Sequence, residues 1–336
     1  MLDNYFFSDS IHQKSEALAW LKYMESNIKS QRFSSKTYDI DSAPTVLETI
    51  TSLLSFFAQN PTMSKASLSQ ILHREKHELL PPNNNHPGSY KELIDIVKYI
   101  LPELTIYDVC VNDCIMFRES PREDFLLLKE CPECHEPRNN SAGHARKKFA
   151  YFTLESRIRR MFSTTAGSSK LQDHAKSSVC NPPKDYHESK SFRSLFKKEG
   201  CFKGDSRGLA MQLAADGVQP FDHSKQSLTP AVAQFLNMSA TERVKPENMH
   251  LFGIIPSYNG HGPKSLNVYM DLIADEVDYI NATIYAYDAL TRETFKVCVT
   301  IHGYVMDYPG FNKMFNALGS AALQGCMWCT IRGKDF

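Results

Sequence analysis

Net charge is missing from this sequence. Lysine plus arginine and aspartate plus glutamate number 38 each among 336 residues, so the chain as a whole has no field that would draw a polyanion. Long apolar runs are missing too. The longest, such as residues 53–58 (LLSFFA), fall far short of the roughly 20 residues needed to cross a bilayer, so no membrane partner is expected. The opening MLDNYFFSDS is polar and acidic and lacks the basic-then-apolar order of a secretory leader. Nine cysteines without such a leader are expected to stay reduced in an intracellular compartment, so their spacing is read for metal before disulfides. No period of 20–50 residues recurs, which sets aside a repeat array. With these classes removed, 42 % hydrophobic and 23 % charged residues describe an ordinary globular chain, long enough for about two domains.

Two stretches present an acid at the end of an apolar run. Residues 209–220, LAMQLAADGVQP, pass from small apolar residues to Asp216 and then Gly217. A buried strand followed by a turn-permissive glycine reads this way. Residues 295–309, FKVCVTIHGYVMDYP, are β-branched and aromatic for about ten residues before Asp307. Two acids at the ends of core strands suit hard divalent cations and the two-metal chemistry of phosphoryl transfer. Acids at strand ends also cap turns and helices, and the sequence alone leaves both roles open.

Four helices are expected before residue 105: over 12–29, 45–59, 64–77 and 89–100, with PPNNNHP at 81–87 as a breaker. No chemistry is visible in them. Then come YDVCVNDC and CPECHEPR. Cys110 and Cys114 form one close pair, Cys131 and Cys134 another, sixteen residues apart. Two short-spaced knuckles joined by a hairpin-sized loop bring four thiolates to a tetrahedral Zn²⁺, a structural site with no open position. His135 is an alternative ligand, and four reduced cysteines without metal are the competing reading. Between residues 141 and 200 there are 13 Lys/Arg against 5 Asp/Glu. Arg146, Lys147, Lys148, Arg157, Arg159 and Arg160 interleave with Phe149, Tyr151 and Phe152, a pattern suited to phosphate contacts beside stacking aromatics; a solvated basic helix face is the alternative. Residues 163–186, rich in Ser, Lys and Pro, read as a flexible linker.

Taken in order, YDVCVNDC, CPECHEPR, ARKKFAYFTLESRIRRMF, LAADGVQPF, ERVKPENMHLFGIIP, YDALTRETFKVCVTIHGYVMDYPG and GCMWC resemble the transposase of CACTA (En/Spm-type) DNA transposons over roughly residues 60–336. The resemblance implies an RNase H-like (DDE-type) core, a carboxylate triad using Mg²⁺ or Mn²⁺, cut-and-paste cleavage and strand transfer on double-stranded transposon ends, a nuclear location and action as a homo-oligomer. It aligns Asp216 with the first acid, Asp307 with the second, and Cys326 and Cys329 with a C-x-x-C pair able to hold zinc.

Departures accompany the match. The third acid implied by the resemblance lies well beyond the C-x-x-C pair, and residues 330–336 offer only Asp335. Met306 precedes the second acid where the family often has Asn. The segment SLTPAVAQFLN lacks an expected tryptophan and reads as a poor strand, and Cys326 and Cys329 lack downstream partner ligands. The expected fold class is therefore α+β or α/β. A helical region at 1–105 precedes a four-cysteine zinc-knuckle module at 106–140, a basic connector at 141–208 and an incomplete RNase H-like mixed sheet at 209–336. The expected protein is transposase-like and catalytically weak or inactive, or else a non-catalytic DNA- or protein-binding derivative.

Overall fold

The computed structural model describes residues 17–24, 26, 35–37, 44–60, 62–98, 104–176, 183–219, 227–315, 317–318, 322–326, 329 and 331–332. The chain forms two compact units, one from Leu18–Leu101 and one from the remainder.

In the smaller unit, α1 (Val46–Gln59) opens with a capping box in which Thr45 and Glu48 exchange side-chain and backbone bonds. Next, α2 (Lys65–Arg74) and α3 (Tyr90–Val97) are capped by Ser64 and Ser89. Val46, Ile50, Leu68, Leu72, Leu93 and Val97 recur at helical spacing and make one core. The last turn of the expected helix at 64–77 is a π-turn, Glu75–Leu79. Of the expected helix at 12–29, residues 17–24 and 26 are helical and the rest lie outside the described residues.

The larger unit is a mixed α/β fold on a six-stranded sheet, ordered β1-β2-β5-β4-β3-β8. Its strands are β1 (Leu104–Asp108), β2 (Lys148–Phe152), β3 (Leu209–Ala215), β4 (Leu228–Phe235), β5 (His250–Pro256) and β8 (Val299–Val305); β6 (Tyr285–Asp288) and β7 (Glu293–Lys296) form a separate hairpin. Every pairing in the large sheet is antiparallel except β3 with β8, which is parallel. Leu209, Met211, Leu213 and Ala215 face one side of the sheet. There they meet α4 (Leu154–Phe162), through Leu154, Ile158 and Phe162, and α8 (Asn267–Thr283), through Tyr269, Ile273, Val277 and Ile280. The alternate residue Ala210 faces the other side and packs with Phe192, Phe202 and Leu236. A strand covered on both faces needs a largely apolar run, and β3 carries one, broken only by Gln212, whose amide donates to Gln234 Oε1 at 2.6 Å.

Three expectations change. The connector is folded and joins the sheet: β2 sits between β1 and β5. It is followed by α4, α5 (Thr165–Leu171) and, after residues outside the description, α6 (Lys190–Leu195); α7 (Ala240–Arg243) lies between β4 and β5. Residues 163–186 are accordingly not a linker throughout, because α5 caps on Thr164 and buries Leu171. The run from Phe295 to Val305 is two strands in two sheets, since Val297 N–H turns to the Ile284 carbonyl while the Cys298 carbonyl accepts from Leu209 N–H. SLTPAVAQFLN contains a full interior strand, β4, with strictly alternating burial. Its Pro230 lies beside a register irregularity at Ala231/Val232, where a missing N–H is tolerated.

Candidate functional site

Asp216 and Asp307 each stand just past the end of a strand, β3 and β8, and both are exposed. Their relation is set by an irregularity in the parallel pairing. Leu209 is opposite Val299 and Met211 opposite Ile301, but Gln212 is opposite Gly303 and Ala214 opposite Val305. His302 is the extra residue of a bulge. It turns to the far side of the sheet, where its Nε2 lies 3.1 Å from Ser191 Oγ and its ring packs edge-on against Tyr186. The pairing ends at Ala214 and Val305; continued two residues further, the shifted register would align Asp216 with Asp307. The unshifted register would have brought Met306 there. On that continuation, a bulge exchanges a methionine for an acid at the sheet end. The sequence signal was Gly303, a glycine inside a strand pattern.

Asp307 also caps a helix. Its Oδ1 accepts from Gly310 N–H at 2.7 Å and its carbonyl accepts from Phe311 N–H, opening α9 (Tyr308–Phe315). At Gly310, α9 lies near the end of β3. A side-chain carbon there would meet Asp307 Oδ1 at 2.9 Å and lie 3.6 Å from the Ala215 carbonyl oxygen. Asp216 Oδ1 accepts from Gly217 N–H at 2.7 Å. Among the described residues, no third His, Cys, Asp or Glu closes on this pair to make a cluster. Cys326 and Cys329 bring their sulfurs to 3.4 Å but form no group of three or more metal-ligating residues among those described, and Tyr308 Oη donates to the Gly325 carbonyl, tying their segment to α9.

The other four cysteines do converge. The sulfurs of Cys110, Cys114, Cys131 and Cys134 all lie within 4.8 Å of one another, and Cys110 and Cys134 are 3.4 Å apart. Sulfurs held at about 2.3 Å from one tetrahedral ion stand at about this separation, so the donor set fits Zn²⁺. Asn112 points its backbone N–H at Cys110 and its side-chain amide at Cys134, both at 3.4 Å, which favours thiolate. Without a cation, burial pushes the Cys110 thiol up to about 11 and Cys114 higher still. Burial also raises Cys134, but donors led by the Asn112 amide outweigh it and bring this thiol to about 7. His135 stands outside the cluster, exposed, in a turn with φ of +59°.

Strand directions place this cluster at the same sheet edge as the acids. The chain leaves β1 at Asp108 and re-enters β2 at Lys148, its register partner. Successive antiparallel pairings carry that edge to the end of β5, the start of β4 and the end of β3. From β2 to β3 is three strand steps, about 15 Å at roughly 4.8 Å each.

The six basic residues divide. Lys147 and Arg159 are buried and paired with Asp113 and Glu155, so neither can reach a phosphate, a correction to the basic set read from the sequence. Arg146 is paired with Glu136 at 2.6 Å and donates to Tyr258 Oη at 3.0 Å. Arg157 donates to the Glu247 carbonyl. Burial holds Arg157 and Arg160 below the usual arginine range, and Arg160 feels the Arg157 charge as well. Lys148 is exposed, on the strand face opposite Phe149 and Tyr151.

The chain is thus a mixed-sheet α/β protein with an acid just past the end of each of two neighbouring strands and a thiol cluster able to hold a metal. Residues 179–335, which contain β3, β4, β5, β8 and both acids, match the model of a family described as transposase family tnp2. The match supports a transposase family for this part of the chain. No curated protein matches the sequence.

Proposed function

We propose that this chain is a transposon-derived, transposase-like protein of the CACTA type, acting on double-stranded DNA in the nucleus. Its RNase H-like core would hold a divalent cation between Asp216 and Asp307. The observation that supports the reading is that Asp216 and Asp307 follow the ends of β3 and β8, a parallel pair whose bulged register, continued two residues, would align them, within the segment that matches the transposase family. Two carboxylates form an oxygen-only donor set suited to Mg²⁺ or Mn²⁺, with water and substrate phosphate completing the coordination. A cation bound there would neutralise charge developing on the phosphodiester in cleavage and strand transfer. The chain's own part is to keep the carboxylates side by side on the ends of a packed parallel pair. The thiol cluster is assigned a structural Zn²⁺, because four protein ligands leave no position for water or substrate.

A second reading, a DNA- or partner-binding protein without cleavage, is favoured by two observations. No third ligand joins the acids among the described residues, and Asp307 Oδ1 is engaged in capping α9. The two readings separate in a cleavage and strand-transfer assay on end-containing duplex DNA with Mg²⁺ or Mn²⁺, run beside Asp216→Ala and Asp307→Ala. Activity abolished in both variants supports the enzyme. DNA retention by all three proteins with no cleavage by any supports the binding protein, which is the outcome we expect. Failure to retain duplex DNA at low salt would remove both.

A further inference from the structure

Asp113 lies inside the first cysteine knuckle, at a backbone φ of +59° that aspartate adopts more readily than most residues. Its N–H bonds the Cys110 carbonyl at 3.0 Å, closing the turn that presents Cys110 and Cys114. Its side chain turns away from the sulfurs and into the protein. There Oδ1 accepts from Lys147 Nζ at 2.5 Å and from Tyr269 Oη at 2.6 Å, and Oδ2 accepts from the Lys264 N–H at 3.0 Å. Both charged side chains of the pair are 2 % exposed. The three partners come from three places: the entry to β2, the first turn of α8, and the segment leading into α8. Lys264 adds a bond from Nζ to Asn112 Oδ1 at 2.7 Å, and Asn112 is the residue that donates to two of the sulfurs.

A loop outside the thiol cluster would need none of this. A buried carboxylate with three donors has one low-energy position, since any displacement leaves Lys147 charged and unpaired in a dry site. The knuckle backbone between Cys110 and Cys114 is therefore held by the core, and the core residues are held by the knuckle. We propose that Asp113 is a positioning residue which couples metal occupancy of the Cys110–Cys114–Cys131–Cys134 cluster to the order of β2 and the N-terminal half of α8. The proposal rests on the metal reading of that cluster and deepens it: the ion would staple the sheet edge that also bears the acids, as well as stabilising its own loop. Reciprocity follows, because a coupling that lets metal order the core must let the core raise metal affinity.

Hydrogen–deuterium exchange of the full chain, read by mass spectrometry with and without Zn²⁺, tests it in the wild type, Asp113→Asn and Tyr269→Phe. In the wild type, zinc is expected to slow exchange in residues 109–117 and 129–136, and also at least tenfold in 147–152 and 264–272. Both variants should still bind zinc, about tenfold or more weakly, the usual effect of removing a partner that orients a ligand, and should lose the remote slowing. Tyr269→Phe removes one hydroxyl and leaves the ion pair in place, so it tests the coupling even if Asp113→Asn fails to fold. Zinc bound by the wild type with slowing confined to the knuckles would overturn the coupling and leave the metal site standing. Remote slowing unchanged in Tyr269→Phe would also overturn it. A wild type that binds no zinc would remove the metal site and the coupling together.

Discussion

Lys147 and Lys148 are sequence neighbours with opposite surroundings. Lys147 is sealed against Asp113, while Lys148 stands in solvent on the outer face of β2. Lys147→Ala would strand a buried carboxylate and is expected to cost about 3–5 kcal/mol, whereas Lys148→Ala should stay within about 0.5 kcal/mol of wild type; urea unfolding of the two variants measures the difference. Two histidines make a second residue-scale case. Burial pushes His174 down to about 4, helped by the nearby His187, and His250 down to about 3, helped by the Arg157 charge. Both are neutral in the folded protein at pH 7. An unfolded chain takes up these protons near pH 6.5, while the folded chain does so only near 4 and 3. The unfolded state therefore binds more protons across that window, and stability rises with pH through it. Unfolding free energy measured from pH 7 to pH 4 should fall by a few kcal/mol, on the order of 3 for each histidine. Replacing His250 by Phe should remove part of the slope; a flat profile would contradict the burial argument.

At the scale of elements, the β8 bulge has the largest consequence. One extra residue, His302, sets the offset that runs on toward the two acids: with it looped out, Gln212, Leu213 and Ala214 pair with Gly303, Tyr304 and Val305. Deleting His302 is expected to close the bulge and leave Gly303, Tyr304 and Val305 opposite Gln212, Leu213 and Ala214, so the acids keep their relation, whereas one residue inserted after Val305 should carry Asp307 a position further along. Mn²⁺-induced broadening of nuclear resonances near Asp216 should survive the deletion and be lost on the insertion, with the far-UV circular dichroism kept in both. Broadening that survives the insertion would show that the acids need not be in line to hold the ion. The same strand shows how an apolar run misleads. Phe295–Val305 looks continuous, yet the chain changes sheet at Val297 and Cys298, because each apolar half finds a different partner.

At the scale of the molecule, the sheet brings the thiol cluster and both acids to one edge, though they lie far apart in sequence. Chelation of zinc is accordingly expected to lower the melting temperature of the larger unit, with about one equivalent of metal released per chain; a melting curve indifferent to chelator would argue against metal in the cluster. DNA retention should fall with salt, each phosphate contact adding about 0.9 to the slope of log affinity against log salt. Since Lys147 and Arg159 are buried, the slope should be well below what the 13 basic residues between 141 and 200 would give. Lys148→Ala should reduce the slope by about 1 and Arg159→Leu should leave it unchanged.

The sequence by itself determined the elements and the chemistry they could carry. An apolar run located β3, and helical periodicity located the three helices of the smaller unit, since local sterics and burial leave their mark within a few residues. The paired spacing of four cysteines was enough to anticipate their convergence, because two short knuckles need only one loop between them. Tertiary structure alone decided the register of β8, the burial of Lys147 and Arg159, and the role of Asp113. The bonds of Asp113 reach 34 and 156 residues along the chain, to Lys147 and Tyr269. Period-2 patterning says which residues share a face, but the offset between two strands belongs to the pair. Whether a charge is solvated or sealed depends in the same way on a partner that only the fold brings near.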